Sequence, residues 1–138
     1  MQLTKIDHIG VAVASLDEAR KVWEGKLGLA AKSVEEVATQ KVRVAFLPIA
    51  GVKFELLEAT DPASPIARHV EKRGEGLHHV AFEVPDIRAA ISEMKARGVA
   101  PLSPEPGRGA GGKLVVFFHP RDTGGVLVEY VQPAAPNG

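Results

Sequence analysis

The feature that most constrains this chain is an internal repeat. The stretch DHIGVAVASLDEA at 7–19 matches HHVAFEVPDIRAA at 78–90, and the match places His8 on His79. A repeat of this kind indicates two like structural units rather than one continuous fold. We therefore expect each half of the chain to begin with a similar strand that carries a histidine.

A second match supports the same division. The stretch GVKFEL at 51–56 resembles GVLVEY at 125–130, and it places Glu55 on Glu129. Both stretches alternate apolar residues in the manner of strands. Each half thus carries one histidine in its first strand and one glutamate in its last.

Both halves predict the same order of elements, which is one strand, one helix and three further strands. Ser15 and Glu18 have capping-box spacing at the first helix, and Asp86 can cap the second. Gly28 and Gly98 end the two helices. The predicted strands cover 5–13, 30–37, 40–48, 51–58, 77–84, 99–103, 113–118 and 125–131. On the first helix we expect an apolar face packed on the sheet, made by Val22, Trp23 and Leu27.

These elements predict an α+β fold made of two tandem βαβββ modules. Related by a rough two-fold axis, the modules can form curved, mostly antiparallel sheets around a shared cavity. We expect one domain over 1–138. Its predicted parts are a module at 5–58, a linker with a short helix at 59–76, a module at 77–132 and a disordered tail at 133–138.

Composition excludes several classes of function. The chain of 138 residues has 17 basic and 17 acidic residues, which leaves no basic field for nucleic acid or a membrane surface. It has no cysteine, so a disulfide, a thiolate nucleophile and a Cys-based zinc site are all ruled out. No apolar run approaches transmembrane length and none resembles a signal peptide. We expect a soluble, cytoplasmic protein.

The repeated histidine and glutamate point to a metal site. Two like modules around one cavity would bring His8, Glu55, His79 and Glu129 together. A core favours apolar residues at symmetric positions, because buried ionisable groups without partners are costly. Two imidazoles and two carboxylates suit an octahedral divalent ion such as Co²⁺, Ni²⁺, Mn²⁺ or Zn²⁺, with positions left for water or substrate.

The other three histidines lack this pattern. Adjacent strand residues face opposite ways, so His78 should point away from His79, toward solvent or the helix layer. His69 and His119 have no counterpart in the repeat. We interpret both as surface or substrate-edge residues.

With these residues in place, the sequence resembles the vicinal oxygen chelate superfamily, which includes glyoxalase I, extradiol dioxygenases and methylmalonyl-CoA epimerases. The stretches IDHIGVAV, GEGLHHVAFEV and FFHPRDTGGVLVEY are most similar to the epimerases. The similarity runs from about residue 5 to 132. Glyoxalase I sequences instead end in a pattern of the DPDGY type.

The resemblance implies a cobalt-preferring enzyme that interconverts (2R)- and (2S)-methylmalonyl-CoA. It implies His8, Glu55, His79 and Glu129 as metal ligands, an acyl-CoA substrate and a homodimer. Glu129 matches a base of the family that is also a ligand. A divalent ion would stabilise the enolate that forms when the C2 proton is removed.

One position departs from the family pattern. A second catalytic glutamate, present in some members, aligns near Val44, where this chain has no acid. Three explanations stay open: another proton donor, a different proton path or a different substrate. Among donors we favour Glu55 by symmetry, followed by Glu35 or Glu36.

Three alternative functions share the fold. A metal-dependent glyoxalase I would use the same ligand set on a glutathione hemithioacetal. A non-catalytic small-molecule-binding protein would lack the metal ligands. An extradiol dioxygenase is disfavoured, because such iron enzymes use two histidines and one carboxylate and a fourth ligand would occupy a position needed for oxygen or substrate.

Overall fold

The structure is a computed structural model that describes residues 2–135. The chain divides into two compact units, which we call the N-terminal unit (His8–His78) and the C-terminal unit (His79–Gly138 with Met1–Asp7). Residues 136–138 of the predicted disordered tail lie outside the described residues, and 133–135 form neither helix nor strand. None of the helices within 2–135 is long and apolar enough to span a membrane.

The N-terminal unit contains four strands in the order β2-β3-β4-β1. The β1/β4 pair is parallel and the other two pairs are antiparallel. The strands are β1 (Lys5–Val13), β2 (Ser33–Val37), β3 (Val42–Ile49) and β4 (Val52–Ala59). The helical segments are α1 (Leu16–Arg20), a π-helical continuation (Lys21–Lys26), a 3₁₀ turn (Ala38–Gln40) and α2 (Pro65–Arg73).

The first helix starts where the sequence predicts. The Ser15 hydroxyl accepts a hydrogen bond from the Glu18 backbone N–H at 3.2 Å, which satisfies one of the unpaired donors of the first turn. Leu16 then enters the apolar layer between this helix and the sheet. The buried members of that layer are Val11, Val13, Leu16, Ala45, Leu47 and Leu56.

The C-terminal unit repeats the arrangement, with strand order β5-β8-β7-β6. Again the pair of first and last strands, β5/β8, is parallel, while β7/β8 and β6/β7 are antiparallel. Its elements are β5 (Gly76–Glu83), α3 (Ile87–Ala96), β6 (Gly107–Arg108), a 3₁₀ turn (Ala110–Gly112), β7 (Leu114–Phe118), a second 3₁₀ turn (Pro120–Asp122) and β8 (Val128–Gln132).

Helix α3 covers one face of this second sheet. The Asp86 side chain accepts hydrogen bonds from the N–H groups of Arg88 and Ala89, both at 3.1 Å, and so starts the helix. The Tyr130 ring lies 5.0 Å from that of Phe118 in the layer beneath the helix. The buried members of this layer are Val84, Ile87, Ala90, Ile91, Val116, Phe118 and Tyr130.

The internal repeat extends to the strand register. In the N-terminal unit Glu55 lies beside Gly10 across the parallel pair, and in the C-terminal unit Glu129 lies beside Ala81. Gly10 and Ala81 are themselves counterparts in the repeat. The predicted α+β fold of two βαβββ modules with mostly antiparallel sheets is therefore confirmed.

Two predicted elements are wrong in detail. Residues 99–103 form no strand but only a single bridge between Pro101 and Phe118, because proline has no N–H to continue a ladder. The strand beside β7 is instead β6, which lies between the predicted strands at 99–103 and 113–118.

The first helix also differs from the prediction, because it changes to π-helical geometry at Lys21. The wider turn rotates the side chains away from their α-helical directions. Trp23 packs on Phe54 with ring centroids 5.2 Å apart, as expected of a residue on the sheet face. Val22 and Leu27, predicted on the same face, are 41% and 61% exposed.

Candidate functional site

The N-terminal unit places one predicted pair of ligands in contact. His8 lies two residues before Gly10 on β1, and Glu55 lies beside Gly10 on β4, so both side chains point to the same face of the sheet. The Nδ1 atom of His8 is 3.2 Å from Oε2 of Glu55. Both residues are buried, on the face opposite the one that packs on α1.

The C-terminal unit builds the same pair from the same positions. His79 lies two residues before Ala81 on β5, and Glu129 lies beside Ala81 on β8. The Nε2 atom of His79 is 3.0 Å from Oε1 of Glu129, and the two side chains are 5% and 3% exposed. The ring of Phe117 meets the His79 ring edge to face, with centroids 5.4 Å apart, and restricts its orientation.

The donor set of each pair fits a borderline divalent ion. An imidazole nitrogen and a carboxylate oxygen lie within hydrogen-bond distance of each other, so both can reach one ion after small side-chain rotations. Such nitrogen and oxygen ligands suit Co²⁺, Ni²⁺, Mn²⁺ and Zn²⁺. Each unit on its own thus holds one imidazole and one carboxylate fit for metal binding.

Sequence reasoning missed a buried acid beside His8. Asp7 precedes His8 on β1 and is only 3% exposed. Its two carboxylate oxygens accept hydrogen bonds from Nζ of Lys113 at 3.3 and 3.4 Å. Lys113 is the residue directly before β7. The available signal was an acid within an apolar strand, which calls for a charged partner because an unpaired buried charge is costly.

The remaining three histidines lie outside the two His–Glu pairs. His78 points away from His79, and its ring meets that of His69 on α2 edge to face, with centroids 4.9 Å apart. His119 is exposed, and its Nδ1 accepts from the backbone N–H of Arg121 at 3.1 Å at the start of a 3₁₀ turn. Burial, and to a smaller extent the charge of Arg73, lowers the pKa of the His69 imidazole.

The chain is similar in sequence to proteins of one superfamily. Residues 7–117 match the model of the glyoxalase/bleomycin resistance protein/dioxygenase superfamily. The chain is 38% identical to the mitochondrial methylmalonyl-CoA epimerase of Mus musculus, over 95% of this chain and 74% of that one. It is also 38% identical to the ethylmalonyl-CoA/methylmalonyl-CoA epimerase of Cereibacter sphaeroides, over 93% of this chain and 97% of the relative.

A solved structure of an epimerase has the same fold as this chain. The methylmalonyl-CoA epimerase of Streptomyces coelicolor, in complex with 2-nitronate-propionyl-CoA, superposes with a TM-score of 0.92 and 38% sequence identity. The match covers 97% of this chain and 100% of that one. This chain therefore belongs to the glyoxalase/bleomycin resistance protein/dioxygenase superfamily and, within it, to the methylmalonyl-CoA epimerase family.

Proposed function

We propose that this protein is an epimerase that interconverts (2R)- and (2S)-methylmalonyl-CoA by removing and returning the C2 proton. The observation that carries the proposal is the His–Glu pair built at the same register in both units. It occurs in a chain that is 38% identical to the Cereibacter epimerase over 93% of its length. The bound nitronate in the Streptomyces structure is a propionyl-CoA derivative, which supports an acyl-CoA substrate.

We propose that His8, Glu55, His79 and Glu129 together hold one divalent ion, with Co²⁺ preferred over Ni²⁺, Mn²⁺ and Zn²⁺. When bound, such an ion supplies Lewis-acid stabilisation of the negative charge that develops on the thioester oxygen. The burial of both His–Glu pairs supports this assignment, because a low-dielectric surrounding strengthens the attraction between the ion and its ligands.

The protein side chains carry out the proton transfers. The C2 proton lies between a thioester and a carboxylate, and a base must reach it within hydrogen-bond distance. Glu129 is the base in this proposal, and its contact with His79 at 3.0 Å holds its carboxylate in one orientation. Inversion also needs a proton donor on the opposite face of C2. Glu55 is the choice that the symmetry of the repeat suggests.

We also propose that the enzyme acts as a homodimer in the cytoplasm. Strand β2 is the outer strand of the N-terminal unit, and a free strand edge is a site where a second chain can pair. Light scattering on the purified protein measures the mass directly, and a monomeric mass would contradict the dimer.

Proton NMR in D₂O tests the proposed reaction. We expect the protein, loaded with Co²⁺, to exchange the C2 proton of methylmalonyl-CoA for deuterium and to interconvert its epimers. Activity on a glutathione hemithioacetal alone would identify a glyoxalase instead. Protein that binds no divalent ion after growth with added cobalt, and that turns over neither substrate, would be a non-catalytic binding protein of this fold.

A further inference from the structure

We propose that His69 and His78 form a second metal site, on the surface of the N-terminal unit, and that this site takes a late first-row divalent cation, above all Cu²⁺. Both imidazoles belong to the N-terminal unit and lie outside the two His–Glu pairs. The site therefore goes beyond the proposed epimerisation and does not depend on it.

The separation of the two rings fits two ligands of one ion. Their centroids are 4.9 Å apart. A bond from an imidazole nitrogen to such an ion is about 2.0–2.1 Å long, so the ring centroid lies roughly 3.2 Å from the ion. Two rings that meet at an ion at about 90–110° then have centroids about 4.5–5.3 Å apart. The observed separation lies within this range.

The orientation of the rings also permits a shared ion. The two ring planes are 84° apart. An imidazole binds an ion in its own plane, and two nearly perpendicular planes can both contain one ion at adjacent coordination positions. The outer torsion of a histidine side chain is broad, so a modest rotation brings one nitrogen of each ring toward the ion. Each ring keeps its second nitrogen for a hydrogen bond.

The backbone between the two histidines is short and held in place. His69 lies on α2, and His78 follows it nine residues later. Gly74 ends α2 with a φ of 78°, a conformation that favours glycine. The carboxylate of Glu75 then accepts a hydrogen bond from the backbone N–H of Ala14 at 2.7 Å. Because both histidines are already close to each other, an ion has little ordering cost to overcome.

The chemistry of the ligands favours Cu²⁺. Imidazole nitrogen suits late first-row ions, and affinity at a given site rises from Mn²⁺ through Co²⁺ and Ni²⁺ to Cu²⁺. The chain has no cysteine, so no thiolate competes with its imidazoles for copper. Both histidines are half-buried, which leaves an ion in contact with solvent and its remaining coordination positions to water. Two ligands alone hold Co²⁺ more weakly than Cu²⁺, so the two ions can be distinguished at this site.

One neighbouring charge opposes the cation. Arg73 lies in the last turn of α2, and its positive charge acts on the His69 imidazole. Arg73 is exposed, so water and salt screen this charge. The repulsion therefore reduces the affinity for a cation without abolishing it, and removal of the charge becomes a test of where the ion lies.

Titration of the purified full-length protein with Cu²⁺ tests the site. The variants are His69→Phe and His78→Phe, each of which keeps an aromatic ring in the contact and removes both ring nitrogens. The control is His119→Ala, which removes an exposed histidine outside the pair. We expect wild type and His119→Ala to bind one equivalent of Cu²⁺ more than either Phe variant. Isothermal titration measures the stoichiometry.

Two further measurements locate the ion. Electron paramagnetic resonance should show coupling of the additional Cu²⁺ to two imidazole nitrogens, and this signal should be missing in both Phe variants. Arg73→Gln should bind the additional Cu²⁺ about 2–5-fold more tightly than wild type, because a screened positive charge is removed. Since each result is a difference between variants, it does not depend on which ion the His–Glu pairs hold.

Three results would overturn the proposal. Equal Cu²⁺ stoichiometry in wild type, His69→Phe and His78→Phe would show that the two rings hold no ion together. Loss of one equivalent in His119→Ala as well would show unspecific binding to surface imidazoles. Affinity that is unchanged or weaker in Arg73→Gln would place the ion away from His69.

Discussion

The imidazole rings of His69 on α2 and of His78 meet edge to face with centroids 4.9 Å apart, and this contact lies within the N-terminal unit (His8–His78). The next residue, His79, points to the opposite face and contacts Glu129. Two neighbouring histidines in one strand thus have separate environments. Their separation makes the proposed metal site directly testable.

Replacing each of these histidines should have different effects on metal binding. We expect His79→Ala to abolish stoichiometric Co²⁺ binding, because it removes an imidazole ligand and leaves Glu129 without its 3.0 Å contact to that ring. His78→Ala should retain binding, since it loses only the ring contact with His69. Isothermal titration with Co²⁺ measures both. Equal loss in the two variants would show that the assignment of His78 and His79 to opposite faces is wrong, and retained binding in His79→Ala would show that His79 is not a ligand.

Substitution of Glu129 should slow removal of the C2 proton from the substrate. We expect Glu129→Gln to reduce C2 proton exchange by about 10²–10⁴-fold, because an amide cannot act as a base. NMR in D₂O gives the exchange rate. The control is Glu105→Gln, since Glu105 is exposed and forms its ion pair with Arg88, at 2.7 Å, on the surface. Normal exchange in Glu129→Gln would exclude it as the base.

The ion pair between buried Asp7 and partly exposed Lys113 should contribute measurably to stability. Lys113→Met leaves a carboxylate that is 4% exposed without its ammonium partner, and we expect a loss of about 1–3 kcal/mol in the free energy of unfolding. Asp7→Asn combined with Lys113→Met should lose less than the sum of the single variants, because neither charge is then stranded. Urea denaturation in the presence of a chelator measures all three variants free of bound metal. Additive losses would mean that the two side chains do not interact.

Acidification should weaken the fold partly through His69. Its pKa is lowered in the folded state from 6.5, chiefly by burial and also by the charge of Arg73. The unfolded chain therefore binds more protons than the folded one, and stability falls as the pH drops below 6.5. We expect His69→Phe, which keeps an aromatic edge against His78, to have a Tm that depends less on pH between 8 and 5. Identical slopes for variant and wild type would contradict this role of His69.

Much of the fold could be predicted because each element of the repeat occurs twice in the sequence. Strand β1 is found at the predicted 5–13, and the capping residues Ser15 and Asp86 begin their helices as expected. These features depend on local hydrogen bonds and on alternation of apolar residues, both of which are readable in sequence. The assignment of His78 and His79 to opposite faces follows from the same alternation.

The features that could not be predicted depend on nonlocal pairing. Residues 99–103 have strand-like composition, but Pro101 cannot donate to a ladder, and the chain pairs through Gly107 and Arg108 instead. The partner of Asp7 comes from Lys113 near the other end of the sequence. Neither pairing leaves a periodic pattern.

The π-helical segment at Lys21–Lys26 has a consequence for length variation among related chains. Its wider turn is closed by a hydrogen bond from the Leu27 N–H to the Val22 carbonyl at 2.9 Å, five residues back. A five-residue loop holds one residue more than the four-residue loop of an α-helix. A change in length of one residue can therefore be accommodated here by a switch between π-helical and α-helical geometry. Homologues that are one residue shorter here should form an uninterrupted α-helix. The register of β2 with β3 should remain the same.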